Sequence, residues 1–176
     1  FRSSIKIYQV KEKQMTNEFK INPKLDLIFE KTTTLPIEKL WKGWTHPEIL
    51  MKWFCPKPWK VSDCKMDLRA GGQFFTMMEG PAGERYPNDG CYLEIVENKK
   101  LVFTNLMTQD FRPRIISSND FHFTATVTFS KTDNGTLYRA IGSHADEEGR
   151  KKHEQMGFKE GWGMAFDQLV DVMKNQ

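Results

Sequence analysis

The stretch His153–Met173 constrains this chain more than any other. From Phe158 onward its apolar residues recur at spacings of three and four: Phe158, Trp162, Ala165, Phe166, Leu169, Val170 and Met173. That is the period of a helix with one buried stripe, and Asp167, Gln168, Asp171 and Lys174 fall mostly off it. A long amphipathic helix that follows a run of strands needs a sheet to lie on. Helix and sheet then either close on a solid core or leave a cavity between them. Gly157, Gly161 and Gly163 bear on that choice, because each costs up to about 1 kcal/mol relative to Ala in a helix interior. Either they thin the helix where a ligand or the sheet comes close, or the helix begins late, near Lys159, after a broken turn.

Upstream, the signals are those of short strands and one small helical pair. Leu25–Thr34 alternates Leu25, Leu27 and Phe29 and ends in threonines, which predicts a strand. Ile37, Leu40, Trp41 and Trp44 predict a short amphipathic helix after Pro36. Thr45-His46-Pro47 predicts a second, with Thr45 as its N-cap, ended by Cys55-Pro56-Lys57-Pro58. Strands follow at Trp59–Leu68, Gln73–Glu79, Gly90–Val96, Leu101–Thr108, Phe121–Phe129 and Thr136–Ala145. The alternation of Phe121, Phe123, Ala125, Val127 and Phe129 against His122, Thr124, Thr126 and Thr128 is the cleanest of them. Short turns between consecutive strands predict antiparallel pairing. The expected fold is α+β: a curved seven-stranded antiparallel sheet around a long C-terminal helix, with two short helices after strand 1.

At 176 residues the chain has room for about one domain. We expect that domain over residues 24–174, preceded at 1–23 by a mobile leader that extends upstream of a start at Met15, with Ile5 and Ile7 open to an added edge strand. The 26 basic and 23 acidic residues are too balanced to argue for nucleic acid or an anionic membrane surface, and no apolar run approaches a membrane span. Cys55, Cys64 and Cys91 lack zinc-site spacing and fit reduced thiols in a cytoplasmic protein.

The order Trp41-x-x-Trp44-Thr45-x-Pro47, Trp53-Phe54, Asp67-Leu68-Arg69-x-Gly71-Gly72 resembles the bacterial domain family related to the activator of the Hsp90 ATPase. Met156-Gly157-Phe158, Glu160-Gly161-Trp162 and Asp167-x-Leu169 extend the match, which runs from about Lys24 to Lys174. That family belongs to the START-like, Bet v 1-like (SRPBCC) superfamily, so the resemblance implies the helix-grip fold. It implies less about function, because the superfamily hosts lipid carriers, polyketide cyclases, hormone receptors and chaperone cofactors on one scaffold.

Aromatic residues make up 12% of the chain and come from several elements, as lining for an apolar pocket requires. We take Trp53, Phe74, Met78, Tyr92, Phe103, Phe123, His144, Phe158 and Trp162 as candidate ligand-binding residues. Met77, Met107, Met156 and Met164 are further candidates for an adaptable lining. His144 is read as a polar contact or proton donor at the cavity mouth, a metal ligand with Glu147 or His153, or a surface or capping histidine, the last being the simplest. The run Asp146–Lys152 reads as a solvated first turn. Arg69-Ala70-Gly71-Gly72 leads to a strand and lacks the Lys-Ser/Thr of a phosphate loop, so its glycines read as a tight turn. No catalytic or metal motif stands out, and no cofactor is expected.

The reading that follows is a cavity for a small hydrophobic or aromatic molecule, in a monomer or homodimer. The alternatives are a chaperone (Hsp90-type) cofactor or protein-interaction module, as the resemblance implies, and a cyclase-like enzyme or hydrolase using Tyr92, Glu94 or His144. For the last, an acid and a base would have to converge on a bound substrate.

Overall fold

The computed structural model describes residues 20–117 and 121–176. The expectations for residues 1–19, the leader and its edge strand, lie outside the described residues. The described chain forms β1 (Asp26–Thr33), α1 (Ile37–Thr45), α2 (Pro47–Leu50), β2 (Lys60–Met66), β3 (Gln73–Glu79), β4 (Arg85–Val96) and β5 (Lys100–Thr104). There follow a two-residue ribbon of β6 (Met107–Thr108) and β7 (Arg112–Pro113), then β8 (Thr124–Thr132), β9 (Gly135–Ser143), α3 (Glu147–Gln155) and α4 (Phe158–Lys174).

The main sheet has seven strands in the order β1-β9-β8-β5-β4-β3-β2, every neighbouring pair antiparallel. Its inner face presents Phe74, Tyr92, Leu101, Phe103, Ala125, Val127, Phe129, Tyr138 and Ala140. Against it α4 lays Ala165, Phe166, Leu169, Val170 and Met173, the stripe that the spacing predicts. The helical pair closes one end of the grip with Leu40, Trp44, Ile49 and Leu50. The indole of Trp53 seals the same end, its Nε1 donating to the Gly43 carbonyl at 3.0 Å.

Four local departures from the sequence reading shape the site. Thr45 does not cap α2; it closes α1, its hydroxyl donating back to the Trp41 carbonyl at 2.8 Å, and His46 takes the N-cap position before Pro47. β4 begins at Arg85 rather than Gly90, because the paired segment continues through Pro87 opposite Met77.

β8 begins at Thr124, not Phe121. The Asn105 side chain takes the place of a strand partner there, its Nδ2 donating to the Phe121 carbonyl at 2.8 Å and its Oδ1 accepting from the Phe123 amide at 3.0 Å. The backbone thus leaves the sheet while its groups stay satisfied.

The charge run is not the first turn of the last helix but a helix of its own. Asp146 caps α3 by accepting from the Gly149 amide at 2.7 Å. The chain then breaks at Gly157, whose φ of 87° lies in the left-handed region open to glycine. α4 starts at Phe158, so the late-helix reading accounts for Gly157, while Gly161 and Gly163 lie inside α4.

Candidate functional site

The break at Gly157 sets α3 and α4 at an elbow over the end of the sheet, facing the loop that leaves α2. A cavity of about 570 Å³ lies between them. The loop supplies Trp53, Phe54, Cys55, Pro56 and Trp59; the sheet side supplies Met78 and Phe123; the elbow supplies His153, Met156 and Gly157; α4 supplies Phe158, Gly161, Trp162 and Ala165. Among the described residues no Asp, Glu, Lys or Arg borders it. A second, smaller space of about 140 Å³ continues the apolar region under the sheet, bounded by Phe74, Phe103 and Thr104 and sharing Phe54, Met78 and Phe123 with the first.

The loop is fastened to α4 by a single side chain. Gln168 Nε2 donates to the carbonyls of Trp53 at 2.8 Å and Cys55 at 2.7 Å, while its Oε1 accepts from the Lys57 amide at 3.1 Å. Gln168 thereby fixes the wall opposite Trp162. Trp162 itself stacks on Trp44, centroids 6.2 Å apart, and tilts against Phe158 at 5.9 Å.

The three glycines of the last helical segment have three separate explanations. Gly157 makes the left-handed turn of the elbow. Gly163 faces the Phe29 ring, where an added Cβ would sit 3.6 Å away in ordinary contact. At Gly161 an added Cβ would meet nothing within 4 Å, because that face of α4 borders the cavity. Only Gly161 thins the helix at open space.

One polar pair stands at the cavity, with His153 in its wall and His144 behind it, outside the lining. His144 is buried, 7% exposed, which overturns the surface or capping reading. Its Nδ1 lies 2.8 Å from the Leu25 carbonyl and its Nε2 lies 2.9 Å from Nδ1 of His153. His153 lines the cavity, with the rings of Phe121 at 4.6 Å, Phe123 at 4.7 Å and Phe158 at 4.9 Å around it. Burial, and behind it the neighbouring His144, pull its pKa down to about 4, so His153 is neutral at pH 7. Among the described residues no three His, Cys, Asp or Glu side chains gather as a metal site, so the two histidines meet without the third ligand.

The other candidates divide by position. Trp53, Met78, Phe123, Phe158 and Trp162 border the larger cavity; Phe74 and Phe103 border the smaller one with Met78 and Phe123. Tyr92 is core, stacked on Phe74 at 5.1 Å, and its desolvated phenol is held far above the ordinary value. Tyr138 of β9, whose phenol could have offered a further polar anchor, is likewise core. Glu94 pairs with Lys100 at 2.7 Å on the outer face of the sheet, beside Thr126 and Arg139. Tyr92, Glu94 and His144 are therefore not brought together, and the convergence of acid and base that a cyclase-like reaction needs does not arise from them. Of the methionines, Met78 and Met156 reach the cavity.

Sequence reasoning underrated four contributors. His153 was legible only as half of a metal pair. Cys55 and Pro56 read as a helix stop, and Gln168 as an off-stripe polar residue. The Gln168 role had no local signal, since its partners lie more than a hundred residues away in the chain.

The profile of the activator of Hsp90 ATPase homolog 1-like protein family matches residues 34–174, most of the chain. The chain belongs to that family. Membership agrees with the helix-grip architecture and with the START-like resemblance of the motif series. A protein from Nitrosomonas europaea superposes with a TM-score of 0.83 at 41% identity, over 88% of this chain and 97% of that one. A protein from Mycobacterium smegmatis follows at 26% identity and TM-score 0.69, over 85% and 90%. An AHSA1-like protein from Aeromonas hydrophila, at 18% identity and TM-score 0.65 over 86% and 93%, shares the fold. No curated protein matches the chain in sequence. Among the described residues no helix is long and apolar enough to cross a membrane.

Proposed function

We propose that this protein binds a small, uncharged hydrophobic or aromatic molecule in the cavity between the α3–α4 elbow, the loop after α2 and the sheet. The observation that carries the reading is the wall itself: about 570 Å³ bordered by aromatic residues, His153, Met, Pro, Gly, Cys55 and Ala165, with no charged side chain among the described residues. That volume falls within the several hundred Å³ typical of small-molecule sites, and such an apolar lining with one polar group is their usual composition. Binding is the proposed role, with no reaction assigned. Native mass spectrometry of the purified protein, with a denatured control for covalent mass, tests it. A discrete extra mass lost on denaturation is the expected result; the bare chain mass, together with failure to bind any apolar probe, would sink the reading.

A second reading has its own support. The family takes its description from activation of the Hsp90 ATPase. The segment after β6 also exposes Phe111, Ile115 and Ile116, with Ile115 95% exposed. Exposed apolar side chains close in sequence suit a protein partner. On this reading the chain stimulates an Hsp90-type ATPase, and Ile115→Asp with Ile116→Asp abolishes the stimulation. An ATPase rate unchanged by the wild-type protein would remove it.

A further inference from the structure

The Leu25 carbonyl has only lone pairs to offer, so the His144 nitrogen facing it, Nδ1, carries a proton. With His144 neutral, its Nε2 is an acceptor and the bond to His153 runs one way, from His153 Nδ1–H to His144 Nε2. A neutral His153 that donates through Nδ1 has a bare lone pair on Nε2. No hydrogen bond among the described residues engages that nitrogen, and its ring borders the cavity.

We infer that the cavity selects uncharged ligands bearing a hydrogen-bond donor, an aryl or alicyclic hydroxyl or an N–H, which His153 Nε2 accepts. This deepens the small-molecule reading and rests on it. His144 acts as the positioning residue: anchored on the Leu25 carbonyl, it fixes the tautomer of His153 and thus the sense of the recognition. The same lone pair, in a wall whose described residues include no Lys or Arg, disfavours carboxylates. A ligand that presents only acceptors, such as an ether or ester, would meet the lone pair unpartnered.

The test uses three probes of nearly equal size: 2-naphthol, 2-methoxynaphthalene and 2-naphthoate. Their dissociation constants are measured at pH 7 by protein-observed NMR titration, with wild type and His153→Phe. The expected result is that 2-naphthol binds wild type roughly 3- to 10-fold more tightly than the ether, the range one net hydrogen bond gives. Naphthoate binds more weakly than either. In His153→Phe the alcohol–ether ratio falls to about one while the ether still binds. Equal binding of alcohol and ether by wild type, or a ratio unchanged in the variant, overturns the inference and leaves the cavity reading standing. Binding of none of the three, with the bare chain mass in native spectra, overturns both. Long-range ¹H–¹⁵N spectra of the wild-type histidines test the same point without a variant. The expected pattern is both rings protonated at Nδ1, and a proton on His153 Nε2 overturns the inference.

Discussion

Gln168 and Cys55 are joined by a 2.7 Å hydrogen bond in which the side-chain amide of the gripping helix holds a backbone carbonyl of the opposite cavity wall. Two more bonds from the same side chain, to the Trp53 carbonyl and from the Lys57 amide, make it the fastening of the whole loop. Gln168→Ala is expected to lower stability by about 1–3 kcal/mol, because buried backbone groups lose their partner. Gln168→Glu is expected to do worse, since a carboxylate in place of Nε2 would turn acceptors against two carbonyls. Urea melts rank the two. A milder loss with Glu than with Ala would show that the two carbonyls do not depend on a donor at this position.

Gly161→Ala separates helix stability from cavity volume. The new methyl meets nothing, and Ala exceeds Gly in helix propensity by up to about 1 kcal/mol, so thermal stability is expected to rise. Gly161→Leu is expected to keep the fold and weaken naphthol binding, by projecting a side chain into the space. At Gly71 the outcome reverses: φ is +76° and an added Cβ would lie 2.8 Å from the Phe111 ring, so Gly71→Ala destabilises. Paired melts and titrations of the three variants check this.

His153 titrates far below the ordinary histidine range. Unfolded, its pKa is near 6.5; folded, burial and then His144 bring it to about 4. Between those values the unfolded chain binds more protons, so stability falls as pH drops from about 6.5 to about 4. The His153 contribution is complete above the window and gone below it. The His153 Hε1 resonance is expected to stay flat from pH 8 to pH 5. His153→Phe should also flatten the acid limb of stability in that window, relative to wild type. A midpoint near 6.5 would mean that the ring is solvated.

Trp162→Ala removes a ring that both stacks on Trp44 and borders the cavity, so stability and probe affinity should fall together. Loss of the packing is expected to cost about 3 kcal/mol, in the range for large aromatic truncations. If melts shift while 2-methoxynaphthalene binds as before, Trp162 serves the core alone.

Burial raises the Cys55 thiol to about 11, and burial with the Asp63 charge raises Cys64 to about 11. At pH 8 the thiolate fraction is then about 100-fold below that of an ordinary cysteine. Alkylation by iodoacetamide is expected to be correspondingly slow in the folded protein and rapid in urea. Fast modification of Cys55 in the native state would show that the loop opens.

The fold was legible where one period dominated. The α4 stripe from Phe158 to Met173 and the inner face of β8 at Ala125, Val127 and Phe129 follow directly from spacing. Boundaries escaped where a distant side chain outcompeted the local pattern. Phe121 and Phe123 alternate like strand residues, but the Asn105 amide takes their backbone groups. Thr45 has the chemistry of an N-cap and spends its hydroxyl on Trp41 instead. The site was legible through its aromatic residues, whose bulk is intrinsic. It was illegible through Gln168 and only half legible through His153 and Gly161, whose meaning lies in what stands opposite them.

The strand order carries a consequence for the route to this fold. β1 and β2 are consecutive strands, yet they occupy opposite edges of the sheet, bridged only by α1 and α2. Among the described strands β1 pairs with β9 alone, from Asp26 opposite Ser143 to Thr33 opposite Thr136. A growing chain leaving the ribosome therefore carries β1 without β9 until nearly the whole domain has emerged. Sheet closure of this kind has high contact order and belongs to the slower, millisecond-to-second folders. The meander from β2 to β5, built from neighbours, is free to assemble first and wait for the β8–β9 hairpin to bring β1 home.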